Sequence, residues 1–297
     1  MKNLPYVICF GEVLWDVVDN KGLIGGAPLN VCYHLTRHKI QSRLISQVGK
    51  DSKGAELLSG ISQLGVDTSM ISISPNLPTS EVLVHLSEKG NIDYTIVENV
   101  AWDAIPYREE HAREIASADC FVFGSLASRS KESENSLFQY LQQAQWKVMD
   151  LNLRKPYYNT EKIEKLLAAC HTLKINDDEL NLIIKIFDIT GSNNADLFRA
   201  IMQQFTGINE IIVTRGADGA EYFSSQDHFS VPALPVKVVD TVGAGDAFLA
   251  AFLAGKLNHK PIRECMQDAV VLSGFVAGSR GACPMYHVEE VYGGSGM

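Results

Sequence analysis

The clearest chemical signal lies at residues 240–248, which read D-T-V-G-A-G-D-A-F. The apolar run at 236–239 predicts a strand before this segment, and the run at 247–257 predicts a helix after it. Glycines at such a turn let backbone N–H groups point at one place, where the helix N-terminus adds its positive dipole end. The segment therefore predicts an anion-binding turn, formed by Gly243, Ala244 and Gly245.

Asp246 follows these glycines in the first turn of the predicted helix. A carboxylate beside a bound phosphate can take the proton of a hydroxyl that receives the phosphoryl group, so Asp246 is the candidate general base. The dipole of the helix N-terminus predicts a lowered pKa for its carboxyl group. The structural alternative is an ordinary glycine turn in which Asp246 is only a favourable first-turn acid.

A second glycine-rich segment, G-G-A-P-L-N, lies at residues 25–30. The chain has three further segments of this kind: G-E-V-L-W-D at 11–16, N-D-D-E at 176–179 and T-R-G-A-D-G at 214–219. Together they resemble the signatures of the phosphofructokinase-B (ribokinase-like) carbohydrate kinase family, over residues 7 to about 290. Within that family the resemblance is closest to bacterial fructokinases, through G-E-V-L-W-D at 11–16, G-G-A-P-L-N at 25–30 and M-D-L-N-L-R at 149–154.

The resemblance implies an enzyme that uses ATP and Mg²⁺ to phosphorylate a primary hydroxyl of a sugar, with fructose and its 6-hydroxyl as the first choice. The alternative substrate is 2-keto-3-deoxygluconate or another sugar of the family. Ribose is disfavoured, because G-G-A-P stands where ribose kinases often have G-G-K. The alternative from another class is a catalytically silent member that binds a ligand. It would have lost Asp246 or the glycines, and all of them are present.

The resemblance also assigns roles to individual residues. The sugar would be bound by Asp16, Gly25, Gly26, Asn30, Asn152 and Arg154. The nucleotide would be bound by Asn176, Thr214, Gly216 and Gly219. Mg²⁺ would be held, mostly through water, by Asn176 and Glu179. A monovalent cation such as K⁺ would be bound by backbone carbonyls near Asp240, Val242 and Gly281.

Each of these assignments has a structural alternative. Asn176 and Glu179 have the spacing of a helix capping box, and Asn30 can cap the helix that follows it. Arg154 can form a surface ion pair, and T-R-G-A-D-G can be a plain hairpin turn. Asp16 lies on an otherwise apolar stretch, so its carboxylate must find donors or remain exposed.

Two further pairs of polar residues are expected to be structural. Asp177 and Asp178 would be a solvated pair in a first helical turn. His34 and His38 have a metal-binding spacing, but no third ligand is apparent. The chain has neither a Walker A sequence nor G-x-G-x-x-G, which excludes the P-loop and dinucleotide interpretations.

Short β-branched runs alternate with longer amphipathic runs, which predicts a three-layer α/β/α fold with a doubly wound, mostly parallel sheet. The predicted core strands are 7–11, 43–48, 120–123, 147–150, 172–176 and 210–214. The predicted helices are 31–37, 52–64, 109–116, 132–144, 161–169, 177–186, 195–205, 247–257 and 262–277.

Residues 13–19 and 81–97 alternate apolar and polar side chains, as half-buried and antiparallel strands do, with a hairpin turn at 88–91. The resemblance makes them a small β-strand lid, at about 12–24 and 79–100, that covers the sugar and through which two subunits can pair. We expect a single kinase domain over residues 1–297.

The composition limits the partners of the chain. Its 297 residues carry a formal net charge of −9, which argues against nucleic-acid binding. No apolar stretch approaches 18 residues, so no membrane span is expected, and the apolar run at 7–10 is too short for a signal peptide. The six cysteines include no C-x-x-C pair, which favours reduced thiols and a cytoplasmic location.

Overall fold

The structure is a computed structural model that describes residues 4–18, 21–86 and 92–293. Within these residues the strands are β1 (Tyr6–Phe10), β2 (Leu14–Val18), β3 (Lys21–Gly25), β4 (Gln41–Gly49), β5 (Ile71–Ser74), β6 (Glu81–Leu86), β7 (Ile92–Ile96), β8 (Cys120–Gly124), β9 (Lys147–Asp150), β10 (Thr172–Asn176), β11 (Glu210–Thr214), β12 (Ala220–Ser224) and β13 (His228–Val231). The helices are α1 (Ala27–Arg37), α2 (Ser52–Gln63), α3 (Glu109–Ser117), α4 (Lys131–Leu141), α5 (Thr160–Ala168), α6 (Asp177–Ile186), α7 (Asn194–Gln204), α8 (Ala244–Leu257), α9 (Ile262–Ala277) and α10 (Val288–Gly293).

The larger sheet has nine strands in the order β13-β12-β11-β10-β9-β8-β1-β4-β5. The strands from β11 to β5 are parallel, and β12 and β13 extend one edge antiparallel. The chain adds β4 and β5 on one side of β1 and β8 to β11 on the other. The direction of winding therefore reverses between β1 and β8, which opens a crevice at the carboxyl ends of the strands. The predicted doubly wound, mostly parallel fold is confirmed.

Two helical layers cover this sheet because successive strand residues point to opposite faces. Val7 and Cys9 pack with α1, α2, α8 and α9, whereas Ile8 and Phe10 pack with α3 to α7. Helix α8 is buried from Asp246 to Gly255, and a Cβ on Gly255 would come within 2.9 Å of Cys265 Sγ on α9. This close packing holds the end of α8 against α9.

The smaller sheet has the order β3-β2-β6-β7. The pairing of β6 with β7 is antiparallel as predicted, and β2 forms a second antiparallel hairpin with β3, but β2 and β6 pair in parallel. The prediction of an antiparallel arrangement was wrong for β2 and β6. These strands belong to two separate hairpins, one inserted after β1 and one after β5. The predicted turn at 88–91 lies outside the described residues.

The predicted strand at 236–239 is wrong. Val236, Val238 and Val239 are exposed, and the N–H groups of Val239 and Asp240 donate to the Ala277 carbonyl at the end of α9. Valine favours strands because it packs well on a half-buried sheet, and here no neighbouring strand is paired with the segment. Strands β3, β5, β12 and β13 were not predicted. Among the described residues, no helix combines the length and the apolar character that a membrane crossing requires.

Candidate active site

The start of α8 leaves its first N–H groups free of a side-chain cap. Its N-cap residue, Gly243, has φ 77°. A Cβ at this position would overlap Ala282, so both the backbone conformation and the space require glycine. The uncapped N–H groups and the positive end of the helix dipole point into the crevice, which is the arrangement that binds an anion.

Asp246 lies in the first turn of α8 and is only 8% exposed. Its Oδ2 accepts a hydrogen bond of 2.8 Å from Asn30 Nδ2. The Asn30 amide is in turn oriented by the Cys283 thiol, whose Sγ lies 3.4 Å from Asn30 Oδ1. The carboxylate is therefore held in one orientation at the edge of the anion-binding turn.

The prediction of a lowered pKa for Asp246 is wrong. Burial, and next the Asp150 carboxylate, raise its pKa to about 6, although Asn30, Lys174 and Arg154 act in the opposite direction. Desolvation outweighs the dipole because the side chain lies almost fully inside the protein. The consequence is a stronger base that is still ionised near neutral pH.

Asn30 does not cap α1, contrary to the structural alternative. The helix begins at Ala27 with Gly26 as its N-cap, so Asn30 lies within the first turns, and its N–H donates to the Gly26 carbonyl. Its side chain is buried and points to Asp246 rather than to its own helix end. The helix starts earlier than predicted because Pro28 is compatible with its first turn.

Asp16 lies on β2, in the smaller sheet, and contacts Gly25 on β3. A Cβ on Gly25 would overlap the Asp16 carboxylate, so glycine makes room for this side chain. Burial raises the pKa of Asp16 to about 6, while the charge of Arg154 lowers it. Among the described residues, none donates a hydrogen bond to this carboxylate. It is therefore a half-buried acceptor that is available to a ligand.

Asn152 and Arg154 follow β9 at the carboxyl edge of the sheet. Asn152 has φ 41°, a left-handed conformation that is unusual for a residue other than glycine. Arg154 is exposed and, within the described part of the chain, forms no ion pair, so the alternative of a surface ion pair is wrong. Its positive charge lowers the pKa of Glu12, Asp16 and Asp246, which places it beside the crevice.

Asn176 and Glu179 form the capping box that their spacing predicts. Each side chain accepts the backbone N–H of the other residue, at 2.9 and 3.0 Å. The second Glu179 oxygen accepts the Leu153 N–H at 2.7 Å, in the segment that carries Asn152 and Arg154. Glu179 therefore joins the start of α6 to the loop after β9.

Thr214 is opposite Asn176 where β10 and β11 end. The following turn contains Gly216 and Gly219, both with positive φ, and joins antiparallel β11 and β12 as the hairpin interpretation predicted. Arg215 in this turn binds Asp177 on α6 and, at 2.6 Å, Glu221 on β12. The prediction that Asp177 is merely solvated is wrong, because the two loops are tied together by this arginine.

The two segments assigned to a monovalent cation lie next to each other. Asp240 Oδ1 accepts the Val242 N–H at 3.0 Å, and Asp240 Oδ2 accepts the Gly281 N–H at 3.2 Å. His34 holds the same C-terminal loop from α1, since its Nε2 is 2.9 Å from the Ala282 carbonyl. Burial lowers the pKa of His34 to about 4, so it is neutral and structural, as expected.

Three buried ionisable residues at the crevice were missed by sequence reasoning. Glu12 and Asp150 line one cavity together with Asn152 and Asp246, and Lys174 forms an ion pair with Asp150. Burial raises the pKa of Glu12 to about 7. Glu12 and Asp150 were visible inside the G-E-V-L-W-D and M-D-L-N-L-R segments, but Lys174 stands in an apolar strand with no motif around it.

Comparison with known proteins identifies the family of the chain. Residues 5–288 match the family described as pfkB family carbohydrate kinase. A probable chloroplastic fructokinase-6 of Arabidopsis thaliana is 26% identical over 97% of this chain and 82% of its own length. The chain therefore belongs to the pfkB family of carbohydrate kinases.

Two solved structures are similar over nearly their whole length. The fructokinase of Xylella fastidiosa with bound ATP has a TM-score of 0.84 and 23% identity, with 97% of each chain covered. A fructokinase double mutant of Vibrio cholerae, with fructose, ADP and a potassium ion bound, has a TM-score of 0.80 and 20% identity, with 98% of each chain covered. At these identities the similarity shows a shared fold.

Proposed function

We propose that this protein is an ATP-dependent fructokinase that transfers the γ-phosphoryl group of ATP to the 6-hydroxyl of fructose. The observation that carries the proposal is the buried Asp246 carboxylate at the uncapped start of α8, held by Asn30 beside the crevice. The choice of fructose is supported by the names of its relatives in Arabidopsis and Xylella.

In the proposed reaction the sugar lies between the two sheets, and its hydroxyls donate hydrogen bonds to the Asp16 carboxylate. Arg154 and Asn152 contact the other side of the sugar. The 6-oxygen attacks the γ-phosphorus, the bond to the bridging oxygen of ADP breaks, and Asp246 takes the hydroxyl proton. The N–H groups at Gly243, Ala244 and Gly245 hold the transferred phosphoryl group. Because the base is buried and its pKa is raised, it accepts the proton more readily than an exposed aspartate would.

The residues on the nucleotide side fit a Mg²⁺ ion that is bound through water. Both Glu179 oxygens already accept backbone N–H groups, so the carboxylate is left to orient water molecules rather than to ligate directly. Burial and the nearby Asp150 carboxylate raise the pKa of Glu179, which marks a region where a cation is favourable. When bound, Mg²⁺ neutralises the charge of the phosphates; Asn176, Thr214, Gly216 and Gly219 position the nucleotide.

A coupled assay of ADP release tests the proposal with fructose, ribose, 2-keto-3-deoxygluconate and adenosine as acceptors. We expect the highest kcat/KM with fructose. The highest value with 2-keto-3-deoxygluconate would replace the substrate but keep the class of enzyme. No acceptor-dependent release of ADP would overturn the proposal in favour of a silent binding protein.

We also propose that the chain forms one kinase domain whose lid is residues 12–24 and 79–100, and that two copies pair through the lid. Both lid segments leave the larger sheet and return to it. Leu23 on β3 is 51% exposed and is the partner of Asp16 across the hairpin, so it lies on the same face of the smaller sheet, where a second copy would cover it. Light scattering that gives the mass of a single chain at assay concentration would overturn the dimer.

We expect K⁺ to stimulate the enzyme more than Na⁺ does. Asp240 brings the backbone of Val242 and Gly281 together beside the anion-binding turn, and a cation there would add positive field at the phosphates. The measurement is kcat in K⁺, in Na⁺ and in a bulky organic cation at constant ionic strength. Equal rates in the three salts would contradict the site.

Glu179→Gln is expected to raise the Mg²⁺ concentration for half-maximal activity and the KM for MgATP by about threefold to tenfold. This corresponds to roughly 0.5–1.5 kcal/mol, the contribution of an ordinary hydrogen bond, because the carboxylate acts on the ion through water. The oxygen of the glutamine amide can still accept the Leu153 N–H, which holds the loop on the sugar side, so the KM for fructose should change little. Glu179→Ala also frees the Leu153 N–H and should raise both KM values. Unchanged Mg²⁺ dependence in Glu179→Gln would show that Glu179 is only a helix cap.

A further inference from the structure

A buried ion pair lies directly below the proposed active site. Lys174 on β10 is adjacent to Asp150 on β9, and its Nζ is 2.6 Å from Asp150 Oδ2. The two residues are 5% and 7% exposed. Taking two charges out of water is costly even when they pair, so a buried ion pair is weak support for stability alone. Stability alone therefore does not explain why this ion pair is buried beside the proposed active site.

Both members of this pair face the start of α8. Asp150 lines the same cavity as Asp246. A Cβ on Gly245 would lie 3.2 Å from Lys174 Nζ, so the ammonium lies beneath the first turn of the helix. Asp246 therefore has a carboxylate and an ammonium as neighbours, each on a rigid strand.

We propose that Asp150 and Lys174 act together as positioning residues for Asp246, with Asp150 increasing its affinity for the sugar proton and Lys174 keeping it ionised until that proton arrives. This inference rests on the proposed function of Asp246 as the base. A base must be ionised before the reaction and must hold a proton afterwards, and neighbouring groups of opposite charge serve these two requirements.

The other groups around Asp246 do not reproduce this arrangement. Asn30 on α1 is neutral and donates one hydrogen bond, and Cys283 carries a neutral thiol because burial raises its pKa. The Cys9 thiol on β1 is likewise neutral, since burial raises its pKa. Arg154 is exposed, so solvent weakens its effect, and Glu12 is a buried carboxyl whose pKa is raised to about 7.

Asp150 and Lys174 affect the pKa of Asp246 in opposite directions, and the two effects can be measured separately. The Asp150 carboxylate raises the pKa of Asp246, whereas the Lys174 ammonium lowers it. The contact of 2.6 Å with Asp150 Oδ2 pairs the Lys174 ammonium inside the protein. Removing one partner or the other should therefore move the acid limb of the pH–rate profile in opposite directions.

The experiment measures kcat/KM for fructose against pH at saturating MgATP. We expect Asp150→Asn to move the midpoint of the acid limb to lower pH by about 1 unit, the usual size of a nearby-charge effect. Lys174→Met should move it to higher pH by a similar amount, because Asp246 then faces Asp150 without the compensating ammonium. Lys174→Arg keeps the charge and should stay near the wild-type midpoint.

Lys256→Met is the matched control. Lys256 lies in the last turn of the same helix and forms an ion pair with the buried Glu210. The Lys256→Met variant should have a lower melting temperature but an unchanged midpoint of the acid limb. If Lys174→Met fails to fold, Asp150→Asn alone tests the proposal, because the proposal requires the acid-limb midpoint of this variant to lie below that of the wild type.

Midpoints that do not move, that move in the same direction in Asp150→Asn and Lys174→Met, or that move as far in Lys256→Met would overturn the role of the pair. An active enzyme with unmoved midpoints would overturn this inference and leave the proposed function intact. A protein that phosphorylates no sugar would overturn both.

Discussion

Asp246→Asn is expected to lower kcat by about 10²–10⁴-fold, the usual contribution of a positioned base. The amide has nearly the shape of the carboxylate and can still accept the hydrogen bond from Asn30, so the fold should be kept. It cannot take the hydroxyl proton. The measurement is kcat for fructose together with the Kd for MgATP, which should remain close to that of the wild type.

Asp196→Asn is the control for this variant, because Asp196 is also an acid in a first helical turn, that of α7. It should leave kcat unchanged. If Asp246→Asn kept near wild-type kcat, Asp246 would be only a favourable acid at a helix start, and the base would have to be sought elsewhere in the crevice.

The second large effect is expected from Asp16→Ala, which should lower kcat/KM for fructose by about 10–150-fold. A hydrogen bond to a charged partner contributes roughly 1.5–3 kcal/mol, and about 1.4 kcal/mol corresponds to one decade of rate. Since no described residue donates to the Asp16 carboxylate, its removal leaves sugar hydroxyls unpaired rather than protein groups. Both KM values and the melting temperature should be measured.

The KM for MgATP should remain unchanged in Asp16→Ala, because this residue is on the smaller sheet and the nucleotide residues follow β10 and β11. A rise in both KM values, or a lower melting temperature with unchanged kcat/KM, would show that Asp16 is structural. The sugar would then have to bind outside the space between the two sheets.

The parts of the fold that the sequence predicted well are those where local signals agree. Buried parallel strands such as β1 and β11 read as short β-branched runs, and α9 was predicted with its observed bounds because its periodicity is uninterrupted. The capping box of Asn176 and Glu179 was likewise readable, because both partners lie within one helical turn.

The errors arise where distant parts of the chain decide the outcome. The valines at 236–239 have strand character, but the end of α9 binds their backbone. The pKa of Asp246 depends on burial and on Asp150, which is nearly a hundred residues away in the sequence, so the helix dipole alone gave the wrong sign. Lys174 could not be found from its surroundings, because its importance comes from the neighbouring strand.

The bond between Glu179 and the Leu153 N–H has a thermodynamic consequence. One carboxylate orders both the start of α6, on the nucleotide side, and the backbone that carries Asn152 and Arg154, on the sugar side. A nucleotide that stiffens Glu179 thereby stiffens the loop that meets the sugar, so part of the ordering entropy for the second ligand has already been lost when it arrives. The two substrates should then bind with positive cooperativity, and linkage requires fructose to tighten MgATP binding by the same factor by which MgATP tightens fructose binding.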